Sequence, residues 1–157
     1  MIPSAWIWCS AAVAVALLGV AAFRDARERH IPNGISLGVA LSAVPMLAAV
    51  PAAEAGLGIC FSILVFGGGA WVFSRGLVGG GDVKLGAAAM LWCGPALLSL
   101  FLLLFGVFTL LVAGLVRSGL LIPDGMDVAK DMPLAVAIAP AATLVIACRL
   151  LLYLFPV

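Results

Sequence analysis

The chain has 157 residues, of which 66% are hydrophobic and 10% charged, and its formal net charge is +1. Soluble domains are about half apolar and about a quarter charged, so this composition excludes an ordinary soluble protein. It predicts an integral membrane protein that forms one domain over residues 1–157. The small net charge argues against a nucleic-acid partner, which would require a basic surface.

The first apolar segment covers residues 2–23 and is followed by Arg24, Arg27 and Arg29. It could be mistaken for a signal peptide, but no basic residue precedes it and the basic cluster comes directly after it, which is the reverse of a secretory signal. We therefore expect a retained membrane helix. By the positive-inside rule the cluster is cytoplasmic and the N-terminus lies outside.

The next apolar segments cover residues 34–50 and 55–74, followed by a longer one at 85–116. As a single helix the long segment would measure roughly 48 Å at 1.5 Å per residue, too long for one span of about 30 Å and short for two. Gly94 and Pro95 are the natural break, since proline suits the first turn of a new helix. We expect a short fourth helix that hardly crosses the bilayer and a fifth from about Pro95.

The C-terminal part is a polar stretch at residues 117–131 and a last helix at about 132–154. A topology with six spans places every basic residue except Arg149 on one side of the membrane. A topology with five spans would move Arg117 and Lys130 to the outside, which agrees less well with the positive-inside rule. We expect Arg149 to extend its side chain to the membrane interface. The predicted fold is an all-α, polytopic bundle of about six transmembrane helices, because a barrel would show alternating ten-residue segments.

Two stretches place a carboxylate where an apolar helix meets a polar boundary: residues 25–33, which begin with Asp25, and residues 79–84, which contain Asp82. Burial of a carboxylate beside a membrane-spanning segment has a desolvation cost of a few kcal/mol. The six-span topology puts both Asp25 and Asp82 on the cytoplasmic face. Two carboxylates a few ångströms apart do not both ionise easily. A charged and a protonated carboxylate together can activate water and polarise a carbonyl, as in aspartic proteases.

The glycines before Asp82 allow two interpretations. Gly79, Gly80 and Gly81 would leave the backbone uncovered, so that an extended substrate peptide could bind there as a strand. Alternatively they form a turn into a helix that has Asp82 as its N-cap. Lys84 either favours the ionised pair by its charge or anchors the helix at the interface.

Other polar residues are given structural roles. We expect Pro32 and Asn33 to cap the second helix, and His30, five residues after Asp25, to lie off its helical face. A zinc site is not expected, because the chain has one histidine and its cysteines are far apart: Cys9, Cys60, Cys93 and Cys148. An acidic stretch without the spacing or closing glutamate of a calcium loop is expected to be solvated: Asp124, Asp127 and Asp131.

These residues resemble the type IV prepilin peptidase family, membrane aspartic peptidases of the GxGD type that are distantly similar in their site to presenilin and archaeal preflagellin peptidase. The sequence GGGDVKL at residues 79–85 resembles the glycine-aspartate-lysine block of that family. Asp25 together with the Ile-Pro-Asn sequence at residues 31–33 resembles its first aspartate block. The resemblance covers most of the chain.

The resemblance implies that Asp25 and Asp82 hydrolyse the bond after the leader peptide of a prepilin or pseudopilin at the cytoplasmic face of the bacterial inner membrane. Bilobed members carry paired Cys-x-x-Cys motifs and also methylate the new amino terminus. This chain carries no such motif and resembles the short form that serves tight-adherence (Flp) pili, so we expect a peptidase without N-methyltransferase activity, cofactor or metal. Its expected partners are the prepilin and membrane lipid.

Two functions from other classes remain as alternatives. A small transporter or channel subunit could use the two aspartates to bind protons or cations within the bundle. A catalytically inactive scaffold in a secretion assembly is the third possibility. Both would tolerate replacement of an aspartate by glutamate better than a protease, in which the spacing of the carboxylates is fixed.

Overall fold

The computed structural model describes residues 4–118 and 133–154, and all regular structure within these ranges is helical. The acidic stretch at 124–131 lies outside them. The predicted all-α fold is confirmed. In chain order the helices are α1 (Ser4–Glu28), α2 (Asn33–Ser42), α3 (Val44–Ala49), α4 (Ala52–Ser74), α5 (Gly80–Cys93), α6 (Leu98–Arg117) and α7 (Leu134–Leu154).

Most helix boundaries follow the predicted segments. α2 and α3 together form the second segment. They are interrupted at Ala43, two residues before Pro45, whose missing N–H removes a helix hydrogen bond. The predicted break at Gly94 is present, since α5 ends just before it. α5 begins at Gly80, five residues before the apolar segment at 85–116, so that Asp82 belongs to its first turn.

Four helices in the described part of the chain are long and apolar enough to cross a membrane, namely α1, α4, α6 and α7. The combined segment of α2 and α3 is shorter. α5 has 14 residues, which corresponds to about 21 Å, less than the roughly 30 Å of a bilayer core. This agrees with the prediction that the fourth segment hardly crosses the bilayer.

The short helix α5 is the centre of the bundle. It packs against α2, α4 and α7, while α1 packs against α2 and α7, and α6 lies on α7. Eight of its 14 residues are buried, including Leu85 and Trp92. The neighbouring face of α7 is rich in buried alanines, such as Ala141 and Ala142, which let helix backbones approach closely.

The chain direction alternates between the two ends of the bundle. At one end, which we call the aspartate end, α1 finishes and α2, α5 and α7 begin. Two hydrogen bonds join these helix ends: Lys84 at the start of α5 binds Asn33 at the start of α2, and Ala135 at the start of α7 binds Asp25 at the end of α1. The start of α7 at this end is the arrangement that six spans require. The opposite end, the arginine end, contains Arg149, the last turn of α5 and the start of α4.

The prediction that Arg149 extends to the membrane interface is wrong. Arg149 is 5% exposed and donates hydrogen bonds to the backbone carbonyls of Trp92 (2.6 Å) and Leu91 (3.3 Å). It also donates to Glu54 Oε1 at 2.9 Å. The last carbonyls of a helix lack partners within it, and the guanidinium supplies donors for two of them at the end of α5.

Candidate active site

Asp25 lies in the last turn of α1, where its side chain is buried against the start of α7. Its Oδ2 accepts a hydrogen bond of 3.0 Å from the backbone N–H of Ala135, the second residue of α7. The first N–H groups of a helix have no partner within it and carry partial positive charge. The start of α7 therefore stabilises negative charge on Asp25.

Asp82 lies in the first turn of α5 and is half-buried. A Cβ atom added to Gly79 would lie 2.8 Å from Asp82 Oδ2, so this oxygen folds back over the glycine. The other oxygen, Oδ1, is buried and has no hydrogen-bond partner among the residues that the structure describes. The N-cap of α5 is Gly79, without a side-chain cap, so the interpretation of Asp82 as N-cap is wrong.

The structure brings the two aspartates together. The N–H of Ala135 that donates to Asp25 also influences the carboxylate of Asp82, and the two carboxylates interact through their charges. Three helices, α1, α5 and α7, therefore meet at this point. Two carboxylates whose charges interact do not both ionise easily, so one can carry charge while the other holds a proton.

Arg29 adds a positive charge to this site. The sequence interpretation had explained this residue by membrane topology. Its charge acts on both Asp25 and Asp82, and its Nη1 is buried with no hydrogen-bond partner in the described part of the chain. Its backbone has φ 52°, which is uncommon for a residue other than glycine. The available sequence signal was the position of Arg29 four residues after Asp25, a spacing that brings side chains together on a helix; in the structure Arg29 comes directly after the last residue of α1.

The glycines of residues 79–81 allow close packing around Asp82. A Cβ on Gly81 would lie 3.0 Å from the Cβ of Ile31, and one on Gly80 would lie 3.3 Å from the ring of Phe73. The contact with Ile31 joins the two stretches that carry the aspartates. These contacts give the glycines a packing role, and binding of a substrate peptide to them stays a prediction.

Lys84 is exposed and donates a hydrogen bond of 2.8 Å to Asn33 Oδ1. Two residues along a helix correspond to a rotation of about 200°, so Lys84 and Asp82 lie on opposite sides of α5. Pro32 is the N-cap of α2, as predicted, whereas Asn33 is its first helical residue and no side chain caps this helix. Instead, the pair of Lys84 and Asn33 joins the starts of α5 and α2.

Comparison with known proteins identifies the family of this chain. The model of the type IV leader peptidase family matches residues 12–115, which include both Asp25 and Asp82. The chain belongs to the type IV leader peptidase family. It is thus a leader peptidase-like protease with apolar helices suited to a membrane, and the suspected resemblance is confirmed. No curated protein and no solved structure gives a significant match.

The family match stops before α7. The contribution of α7 to the site, the N–H of Ala135 beside both carboxylates, is therefore evident only from the tertiary structure. Among residues 4–118 and 133–154, no three His, Cys, Asp or Glu side chains are grouped so that they could hold a metal ion.

Proposed function

We propose that this protein is an aspartic endopeptidase that removes the leader peptide from type IV prepilins or pseudopilins, with Asp25 and Asp82 as its catalytic pair. The observation that carries the proposal is that the Asp25 carboxylate, bound by the N–H of Ala135, lies close enough to Asp82 for the two charges to interact, in a chain that belongs to a peptidase family.

The geometry suggests a role for each carboxylate. The hydrogen bond from α7 stabilises charge on Asp25, which suits this residue to take a proton from the attacking water. Asp82 Oδ1, which has no partner among the described residues, is suited to hold the shared proton and to donate a hydrogen bond to the carbonyl of the bond to be cut. Negative charge that develops on the carbonyl oxygen is then stabilised, and Asp82 can later give its proton to the leaving amine.

The finer substrate assignment rests on the resemblance described above. Without Cys-x-x-Cys motifs, the chain is similar to the short family form that serves Flp-like pili. We therefore propose an Flp-like prepilin as substrate, cleavage without methylation of the new amine, and a location in the bacterial inner membrane. The concentration of basic residues at the aspartate end, among them Arg24, Arg27 and Arg75, supports a site at the cytoplasmic face under the positive-inside rule.

The test is incubation of the purified chain in detergent with a panel of prepilin precursors, with the products identified by mass. Asp25→Asn and Asp82→Asn should each abolish cleavage while the protein still inserts, because an amide cannot share the proton. Glu28→Gln is a matched control: this carboxylate is exposed, lies one turn from Asp25, and pairs only with Arg24 at 3.9 Å in the described residues. Asp124→Asn should also cleave normally.

Replacement by glutamate separates the peptidase from a transporter. A protease with fixed carboxylate spacing should lose cleavage in Asp82→Glu, whereas a site that binds protons or cations would tolerate it. Retained cleavage in Asp25→Asn or Asp82→Asn would refute the catalytic pair.

A further inference from the structure

An apolar groove of about 240 Å³ lies beside Asp82, between α4 and α6. Its floor is α5, and α4 and α6 do not contact each other in the described part of the chain. Asp82 is the one charged residue in its lining. The neighbouring wall positions are apolar or glycine, including Gly69 of α4, Gly86 of α5, and Leu102 and Phe105 of α6.

A second groove, of about 350 Å³, lies on the other side of α4, between α4 and α2. Lys84 and Asn33 line this second groove, and Asp82 does not. Because Lys84 and Asp82 point to opposite sides of α5, a chain that enters from the membrane reaches Asp82 through the first groove and not through the second.

Asp82, the charged residue in the lining of the first groove, restricts what can occupy this groove. Asp82 Oδ1 is buried without a partner among the described residues, and a buried polar atom is stabilised when a donor reaches it. A peptide offers N–H groups, whereas a lipid acyl chain offers none. The groove is smaller than the roughly 300–1,000 Å³ of pockets that enclose whole small molecules, so it fits a few side chains of a segment that lies along it.

We propose that the groove between α4 and α6 binds the apolar segment of the substrate next to the cleaved bond, and that the substrate enters sideways from the bilayer between these two helices. This inference rests on the proposed function and adds the path and the binding surface. The segment inserts apolar side chains between Gly69 and Leu102, and its first peptide groups lie at Asp82.

Filling the groove is the first test. A Cβ on Gly86 meets no atom within 4 Å, so the side chain of Gly86→Leu projects into the groove without a clash, and leucine favours helix more than glycine does. We expect at least about a tenfold loss of prepilin kcat/KM, equivalent to about 1.4 kcal/mol, mainly through a higher KM. Gly106→Leu is the matched control: its Cβ also meets no atom within 4 Å, and it lies on the exposed face of α6 outside the groove. The kcat/KM of Gly106→Leu should remain within about twofold of the wild-type value.

Crosslinking is the second test. Benzoylphenylalanine in place of Leu102, in the first groove and 55% exposed, should crosslink to a prepilin held by the Asp25→Asn variant. The same group in place of Ile63, in the second groove and 64% exposed, should not.

The outcomes separate the two proposals. If wild type cuts prepilin but Gly86→Leu is as active as Gly106→Leu, or if the crosslink forms at position 63 and not at 102, the groove assignment is overturned while the peptidase stands. If wild type cuts no precursor in the panel, the proposed function fails and the groove assignment fails with it.

Discussion

Replacement of Arg149 by methionine should destabilise the bundle more than any change in its partner Glu54. The guanidinium makes three hydrogen bonds, to the carbonyls of Leu91 and Trp92 and to Glu54. Methionine keeps most of the length and apolar volume but supplies no donor. Both carbonyls would then be left without this partner at the end of α5, the central helix of the bundle.

The size of the expected loss in the free energy of unfolding follows from the burial of Arg149. A buried acceptor that loses its donor costs about 1–3 kcal/mol, and a hydrogen bond to a charged group contributes about 1.5–3 kcal/mol. The three bonds share one side chain and are not additive, so we expect Arg149→Met to lower the free energy of unfolding by about 3–5 kcal/mol. Glu54→Gln keeps an acceptor, and the side chain of Glu54 is 34% exposed; its loss should be about 1 kcal/mol or less.

The assay is equilibrium unfolding in mixed micelles with an increasing fraction of SDS, followed by tryptophan fluorescence, to which the buried Trp92 contributes. The double variant Arg149→Met with Glu54→Gln should be no less stable than Arg149→Met alone. An Arg149→Met variant within about 1 kcal/mol of wild type would refute the conclusion that this residue holds the end of α5. Equal losses for Arg149→Met and Glu54→Gln would show that the ion pair, and not the carbonyl contacts, carries the stability.

Three further outcomes are expected. Gly94→Ala should lower the free energy of unfolding by about 1–3 kcal/mol in the same assay, because Gly94 has φ 62° and a Cβ there would lie 2.9 Å from the Arg149 guanidinium. Gly106→Ala is the control: Gly106 has open space around it, so this change should be neutral or slightly stabilising. Gly79→Ala fits the backbone at φ −70°, but its Cβ would displace the Asp82 carboxylate. We therefore expect kcat to fall about tenfold to a hundredfold without loss of membrane insertion. An unchanged kcat would contradict the contact between Gly79 and the Asp82 carboxylate. Prepilin cleavage should survive a metal chelator, because two carboxylates and a water supply the chemistry; a loss that added metal reverses would count against the mechanism.

The sequence by itself determined the properties that depend on neighbouring residues. Long apolar segments predict membrane helices because an unpaired backbone group in lipid is costly, and the break at Gly94 follows from the length of one span. Asp25 and Asp82 were found from sequence because a carboxylate is costly beside apolar segments. Their blocks resemble those of the family to which the chain proved to belong.

Only the tertiary structure decided which residues meet across the bundle. Ala135 is 110 positions from Asp25, and Arg149 is 95 positions from Glu54, so no local pattern indicates these pairs. In a membrane, hydrophobicity also fails to separate buried from lipid-facing helices, because lipid is as apolar as a protein core. α4 and α5 are both apolar segments, yet α5 is buried at the centre while α4 lies at the outside with Gly58 as its buried residue. That difference is set by the packing of helix on helix.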